Sequence, residues 1–275
     1  MAHSAKVIAD SVSEAGARLI TMEVTLPRIV LAEFNTHRVF SRNSASSRAI
    51  PIKEQIRRVM ADPYIPIHWG VNRSGMQADA ELTEDEVRAA KSVWLKARDN
   101  AVSSVDELME IGLHKQVTNR LLEPFMWQTI LVTSTEWSNF HALRANAQAH
   151  PEIRRAAELM RAAQGASTPK LLRLGEYHLP LIQPDELDWA ANNIEMAIKV
   201  SVGRCARVSY LTHDGKRDHA KDIELYDRLV TSGHMSPLEH VATPLFNRYE
   251  WSGNFQGWRQ FRKTIPNEND FSKIA

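Results

Sequence analysis

The chain has 275 residues, 43% of them hydrophobic, enough for one large domain with a sizeable core. Its 34 basic and 33 acidic residues leave a net charge of +1, so no global field recruits nucleic acid or a membrane surface and any anion site has to be local. The single cysteine, Cys205, excludes an intrachain disulfide, no run reaches the length of a membrane span, and MAHSAKVIADSVSEAG lacks the apolar core of a signal peptide, so a cytoplasmic protein with no membrane partner is expected.

Residues 5–26 read as strands: KVIAD is short and apolar, and ARLITMEVTL alternates over Leu19, Thr21, Glu23 and Thr25. Thr25-Leu26-Pro27 suits a helix entry, and RIVLAEFNTHR carries Ile29, Val30 and Phe34 near one face. A polar stretch follows, Phe34 to Arg48, reading FNTHRVFSRNSASSR. It packs one histidine, three arginines, two asparagines and four serines into fifteen residues. By composition alone it is as readily a solvated linker. Its flanks, TMEVTLPRIVLAEF and IPIKEQIRRVM, are amphipathic, and an arginine-bearing loop held between two buried elements suits anion binding. A second short helix starts at Pro51 with Ile52, Ile56 and Val59, and YIPIHWGVNRSGMQ reads as irregular connection or edge strand.

Thr83-Glu84-Asp85-Glu86 is a capping-box start. The helix behind it carries Val87, Ala90, Trp94, Ala97, Ala101, Val105 and Leu108 at helical spacing and ends near Gly112. Residues 114–122 form a short helix closed by Pro124, and WQTILVT is a strand or buried connector. Two more helices cover 135–148 and 151–164, with Pro151 opening the second. LLRLGEYHLPLI is a hinge, and residues 185–210 are helical with Leu187, Ala190, Ile194 and Ile198 inward. Residues 216–232 are helical and stop at Gly233, and VATPLFNRYEW reads as a strand. The pattern predicts one α+β domain over residues 1–275, with a mostly antiparallel sheet, a helical bundle region at 83–164 and the strands of both chain ends in one sheet.

Several constellations bear on chemistry. Cys205 is a candidate nucleophile, but GRCARVS sits on a predicted buried helix, which favours packing. His213, His219, His234 and His240 lack H-x-x-x-H spacing with a carboxylate, so no metal is expected. Ser236-Pro237-Leu238-Glu239 reads as a capping box, complete as a helix start. Arg144 on a predicted helix is, taken alone, a solvated cation.

Joint motifs change these readings. T-H-R-V-F-S-R-N-S-A-S-S-R resembles the signature of the flavin-dependent thymidylate synthases (the ThyX family), roughly R-H-R-x-x-S-x-N-x-x-S-x-R. His37, Arg38, Ser41, Asn43, Ser46 and Arg48 are in register. GHMSPLEH resembles the family's G-H-x-[ST]-P-x-E-H, and A-R-V-S at 206–209 matches its A-R-V-S. Asn139, Arg144 and Glu152-Ile153 match its late motif, and Arg120 before Pro124 resembles another substrate arginine. The family places A-R-V-S and G-H-x-[ST]-P-x-E-H before the signature, whereas here they follow it. Circular permutation is the simplest account, with the flavin-binding segment at 200–245. GWRQFRKTIPNEND weakly resembles the signature a second time. Thr36, Glu33, Ser44 and Gln148 depart from the family pattern, which has arginine, glutamine, glutamate and histidine there.

The resemblance implies a ThyX-like fold and methylation of dUMP at C5. Methylenetetrahydrofolate is the carbon donor, reduced FAD the hydride donor and NADPH the reductant of the flavin. It implies a homotetramer with sites shared between subunits, and no nucleic-acid partner. By this reading Arg144 and Ser46 are catalytic. Glu33, Ser46, Ser47, Arg48, Arg120 and Arg144 bind substrate, and His37, Arg38, Ser41, Asn43, Asn139, Ser209, His234, Ser236 and Glu239 hold the flavin. Arginine forks would neutralise the phosphates, serine amides would cradle a monophosphate, and Arg144 would stabilise charge developing on the ring carbonyls. With flavin supplying the redox step, no protein nucleophile is needed, and the absence of G-x-G-x-x-G argues only against a Rossmann-type flavin site. The departures at Thr36, Glu33 and Ser44 leave hydroxymethylation of dUMP or dCMP as a related alternative. A non-catalytic nucleic-acid-binding protein using the arginine loops and WRQFRK is the alternative from another class.

Overall fold

The computed structural model describes residues 2–75, 78, 80–208, 217–270 and 272. Strands β1 (Ser4–Ser13) and β2 (Arg18–Pro27) form an antiparallel hairpin whose turn uses Gly16 at φ +81°. On its other edge β2 pairs antiparallel with β4 (Trp127–Ser134), from Ile20 opposite Ser134 to Pro27 opposite Trp127. Strand β3 (Ser41–Ser44) flanks β4, and β5 (Lys170–Leu172) runs parallel to β1, giving the order β3-β4-β2-β1-β5. The fold is α+β with a mostly antiparallel sheet, as expected.

The polar stretch 34–48 is therefore not all loop: its middle third is the edge strand β3. Strand β2 is buried on both faces. Ile20, Met22, Val24 and Leu26 meet Ile153, Ala156, Ala157 and Met160 of α6 (Pro151–Ala166), while Leu19 packs with Leu172, Ala242, Phe255 and Trp258. Each fully buried aliphatic side chain there contributes roughly 1.5–3 kcal/mol.

Thr21 joins a polar line across the sheet. Ser11 Oγ meets His178 Nδ1 at 2.8 Å, and His178 Nε2 meets Thr21 Oγ1 at 2.8 Å. Thr21 Oγ1 then meets Thr133 Oγ1 at 2.7 Å, and Thr133 Oγ1 meets His240 Nδ1 at 2.7 Å. All five side chains are buried, and burial lowers both histidines to about 3, so both are neutral.

After Pro27 the expected helix shrinks to a 3-10 turn (Arg28–Val30) and one α turn, α1 (Leu31–Phe34). Helix α2 (Ile52–Ala61) follows Pro51. Helix α3 (Glu84–Glu110) starts at the expected capping box, with Glu86 Oε2 accepting from Thr83 N at 2.9 Å. Its apolar stripe is narrower than its spacing suggests: Val105 is buried, Trp94, Ala101, Val102 and Met109 pack beside it, and Ala97 is exposed. This stripe lies on α2 and on Leu122, Phe125 and Met126, which belong to or follow the 3-10 turn Asn119–Phe125 behind α4 (Lys115–Thr118).

Helix α5 (Ser138–Arg144) precedes α6. The predicted helix 185–210 divides into α7 (Leu187–Asn192) and α8 (Ile194–Ala206), broken at Asn193 with φ −138° and ψ 50°. The break resets the helical phase. Ala190 and Ile198 are buried as expected, but Leu187 and Ile194 are 50% and 37% exposed. Helix α9 (His219–Thr231) packs on α8 and stops before Gly233, at φ +68°.

The strand after GHMSPLEH is only β6 (Ala242–Pro244), and it does not join the main sheet. Both edges of β2 are already taken by β1 and β4. Strand β6 pairs instead with β9 (Trp258–Gln260), next to the short hairpin of β7 (Trp251–Ser252) and β8 (Phe255–Gln256). Among the described residues no helix is long and apolar enough to cross a membrane.

Candidate functional site

The signature stretch and the GHMSPLEH turn meet at one cleft of about 790 Å³. Strand β3 contributes Arg42, Asn43 and Ser44, and the following turn contributes Ser46, Ser47 and Arg48. The opposite wall is Arg207 and Val208 after α8, Leu225, Arg228 and Leu229 of α9, and His234, Ser236 and Pro237. Among the described residues, Arg28 and Arg120 complete a lining of six arginines with no carboxylate. Arg48 and Arg228 are exposed, and their side chains make no hydrogen bond or ion pair with a described residue. Such cations are available for a polyanionic ligand.

The turn behind β3 is held through its carbonyls. Gln128 Nε2 donates to Ala45 O at 2.6 Å, Asn119 Nδ2 to Ser47 O at 2.7 Å and to Ile50 O at 3.0 Å, and Lys115 Nζ to Ala49 O at 3.3 Å. In a trans peptide the N–H after each carbonyl points the opposite way. The N–H groups of Ser46 and Arg48 therefore turn away from this scaffold, and neither is bonded within the described residues. Successive outward amides beside cations form a nest for phosphate oxygens. Beneath it, Glu123 Oε1 accepts from Arg120 Nη1 at 2.6 Å, Arg28 Nη2 at 3.2 Å and Ser47 Oγ at 3.2 Å.

Arg144 lies elsewhere. With Glu33 and Gln148 it lines a second pocket of about 640 Å³, walled by Tyr64, Trp94 and Pro66. Its Nη1 is paired with Glu33 Oε1, its Nε donates to His37 Nε2 at 2.9 Å and its Nη2 to Thr36 Oγ1 at 3.3 Å. His37 is buried against Phe40 and Phe140. Desolvation, with Arg144 and Arg42 nearby, lowers it to about 4, so it accepts as neutral imidazole.

The sequence-derived residues thus divide. Ser46, Ser47, Arg48, Arg120, Asn43, His234 and Ser236 share the arginine cleft, and Glu33 and Arg144 share the second pocket. Ser41 reaches neither: it is 1% exposed, donating to Asn254 Oδ1 at 3.2 Å and accepting from Gln260 Nε2 at 3.0 Å. His37 meets the second pocket only through Arg144. Arg38 and Asn139 are exposed outside both linings. Glu239 is paired with Arg262 Nη1 at 2.6 Å, and Ser236 makes no cap. The expected capping box is replaced by a 3-10 turn, Ser236–His240, because that carboxylate is already engaged. Ser209 and His213 lie outside the described residues.

Sequence reasoning missed Arg28, Arg42, Arg207 and Arg228. Arg42 lies inside the signature and Arg207 inside A-R-V-S, so both were within motifs already marked. Arg28 and Arg228 carry no local signal. Cys205 is fully buried, and burial pushes its thiol far above the usual range, which suits packing and not attack. His219 contacts Glu186 Oε1 at 2.8 Å and stacks on Trp189.

Among solved structures, a UMP/dUMP methylase, PolB from Streptomyces cacaoi bound with 5-Br UMP, is similar with a TM-score of 0.50 and 16% identity, over 60% of this chain and 89% of that one. The same methylase bound with 5-Br dUMP gives 0.49 and 17%, over 60% and 90%. The first likeness speaks for a shared fold. A sequence search of curated proteins finds no match. The model of a family described as thymidylate synthase complementing protein matches residues 12–170, which hold the signature stretch, Arg120 and Arg144. That span is more than half of the chain, and the chain belongs to this family.

Proposed function

We propose that the chain is a flavin-dependent thymidylate synthase acting on a pyrimidine deoxynucleotide monophosphate, dUMP in the first instance. The observation that carries this reading is the convergence of the Ser46–Arg48 amide nest, six arginines and the His234–Pro237 turn on one cleft. A dianionic flavin nucleotide and a nucleotide monophosphate need local neutralisation in a chain of net charge +1, and Arg42, Arg48 and Arg228, which no described carboxylate pairs, would supply it. Arg28 and Arg120 are engaged by Glu123, and Arg207 by Asp222. Asn43, His234 and Ser236 would hold FAD, while Ser46, Ser47, Arg48 and Arg120 would hold the nucleotide phosphate. Bound FAD would supply hydride, with NADPH and methylenetetrahydrofolate as co-substrates.

Arg144, its guanidinium oriented by Glu33 and His37, would stabilise negative charge on a pyrimidine carbonyl. It sits in a different pocket from the nest. We therefore read the complete site as formed between copies of the chain, the second pocket of one facing the arginine cleft of another in a homotetramer. The permuted order fits as well: the family match ends at residue 170, and the blocks beyond it still reach the signature. The Glu33–Arg144 pair favours keeping dCMP and a hydroxymethyl product as the second reading, since Glu33 is an acceptor-only neighbour of the ring-binding arginine. Against the nucleic-acid alternative, Arg262 and Lys263 of its basic segment are matched by Glu239 and Glu268, which leaves Arg259 as that segment's exposed cation.

The test is direct. FAD should raise the melting temperature and change its own fluorescence on binding. Labelled methylene from folate should appear in dUMP, or in dCMP for the second reading. A well-folded protein that does neither ends the proposal. Arg48→Ala and Arg144→Ala proteins, each inactive alone, should regain activity when mixed if the site is shared.

A further inference from the structure

We infer that Asn119 is a positioning residue for the phosphate nest, acting on the ligand only through the main chain it holds. The inference rests on the nucleotide reading above. Asn119 is 1% exposed and lines neither pocket. Its amide nitrogen donates to Ser47 O at 2.7 Å and Ile50 O at 3.0 Å. Two carbonyls can only accept, so the orientation of this amide is set by chemistry. Its own Oδ1 is left buried without a hydrogen-bond partner. An unpartnered buried acceptor is costly, so the residue is retained for what its nitrogen does.

Beyond the side chains of Asn119, Gln128, Lys115 and Glu123, the turn has little to hold it. Residues 45–50 lie outside helix and strand, and among the described residues their main chain makes two backbone bonds, Ala45 N to Thr129 O and Ala49 N to Ser46 O. The Ser47–Arg48 peptide has no backbone bond of its own. Released from Asn119, that peptide can rotate and present its carbonyl oxygen to the cleft where its N–H was. A donor toward the anion would become an acceptor, and the loss would fall on the phosphate alone. Gln128 holds the Ala45 carbonyl in the same way, through the peptide that carries the Ser46 N–H. Asn119 differs in spanning two carbonyls on either side of Arg48.

The experiment compares dUMP with deoxyuridine by calorimetry on wild-type protein, Asn119→Ala, and Gln128→Leu as a second variant of similar volume. The phosphate-dependent part of binding should fall at least tenfold in each variant, while deoxyuridine affinity stays within about twofold. Equal loss of both ligands in a folded variant marks a general structural role and overturns the inference. Unchanged dUMP affinity in a folded variant overturns it too. Wild-type protein that binds dUMP no more tightly than deoxyuridine removes the nucleotide reading instead, and inorganic phosphate titrated against the same variants then decides the turn.

Discussion

Two segments of this chain carry similar letters and have different fates. The signature stretch Phe34–Arg48 and the C-terminal segment Trp258–Lys263 both interleave arginines with aromatic residues. In the first, Arg48 faces a cleft unpaired, beside main-chain amides with no partner. In the second, Trp258 is fully buried with Nε1 donating to Ala17 O at 3.2 Å, and Gln260 bonds Ser41 and Asn254. Arg262 is shared between Glu239 and Glu268 at 2.6 Å each, and Lys263 is paired with Glu268. What separates an open loop from a clamp is the supply of carboxylates within reach, not the count of arginines. The clamp serves the loop: Asn254 Nδ2 donates to Val39 O at 2.9 Å, inside the signature.

The contrast can be broken most sharply at Trp258. Trp258→Ala should cost about 3–5 kcal/mol in denaturant unfolding, as expected for a fully buried aromatic. Arg48→Ala should leave stability within about 0.5 kcal/mol while weakening nucleotide binding. Reversed outcomes would exchange the two roles.

Acid tests the clamp next. His240 sits on the turn that Arg262 ties down, and His178 sits behind it in the polar line. Both have folded values of about 3, below the ordinary 6.5. The unfolded chain therefore takes up protons first. Their contribution is complete above about pH 6.5 and is lost as pH falls toward 3, amounting to a few kcal/mol by about pH 4. Unfolding followed from pH 8 to 4 should show this acid limb, and His178→Gln should shallow it. A flat profile in wild-type protein removes these histidines as the cause.

Arg144 sharpens the comparison from the other side, as a paired arginine that should still act. Arg144→Lys should retain FAD binding and lose on the order of 100-fold in turnover, about 3 kcal/mol, because a point charge does not replace the planar fork. Near wild-type turnover would make its pairing to Glu33 merely structural. The smallest effect is expected at Cys205. Cys205→Ala should keep turnover within about tenfold, under about 1.4 kcal/mol of barrier.

Much of this was legible in the residues. The capping box at Thr83, Pro51 and Pro151 as helix openers and Gly233 as a stop are local signals, and local chemistry decides them. The partner of β6 was not legible, because it depends on which sheet edges are already occupied. Nor was the exposure of Leu187 and Ile194, since the break at Asn193 turns one expected helix into two short ones and leaves each of these residues at the start of its own. For the site, motif matching gathered the residues but not their facing. Ser41 and Arg48 stand in the same signature, yet one is sealed under Gln260 and the other is open. Side-chain direction along a short edge strand and the turn after it is set by pairing to β4, which no local pattern contains.

The line from Ser11 to His240 has a property that belongs to it as a whole. Each neutral imidazole has one proton for two ring nitrogens, and each threonine hydroxyl has one proton for two neighbours. A buried threonine in the middle that also spends its own proton within the line accepts from one side and donates to the other. Every link must therefore point the same way, and the line has two self-consistent polarities. With protons directed toward His240, that residue is the Nε2–H tautomer. Directed toward Ser11, its Nε2 is bare. Because this Nε2 has no partner among the described residues, the tautomer at one end is fixed by the hydroxyl at the other. Thr21→Val would cut the line at its centre and let the two histidines choose their tautomers independently, a change that nitrogen-15 chemical shifts of the two rings would report.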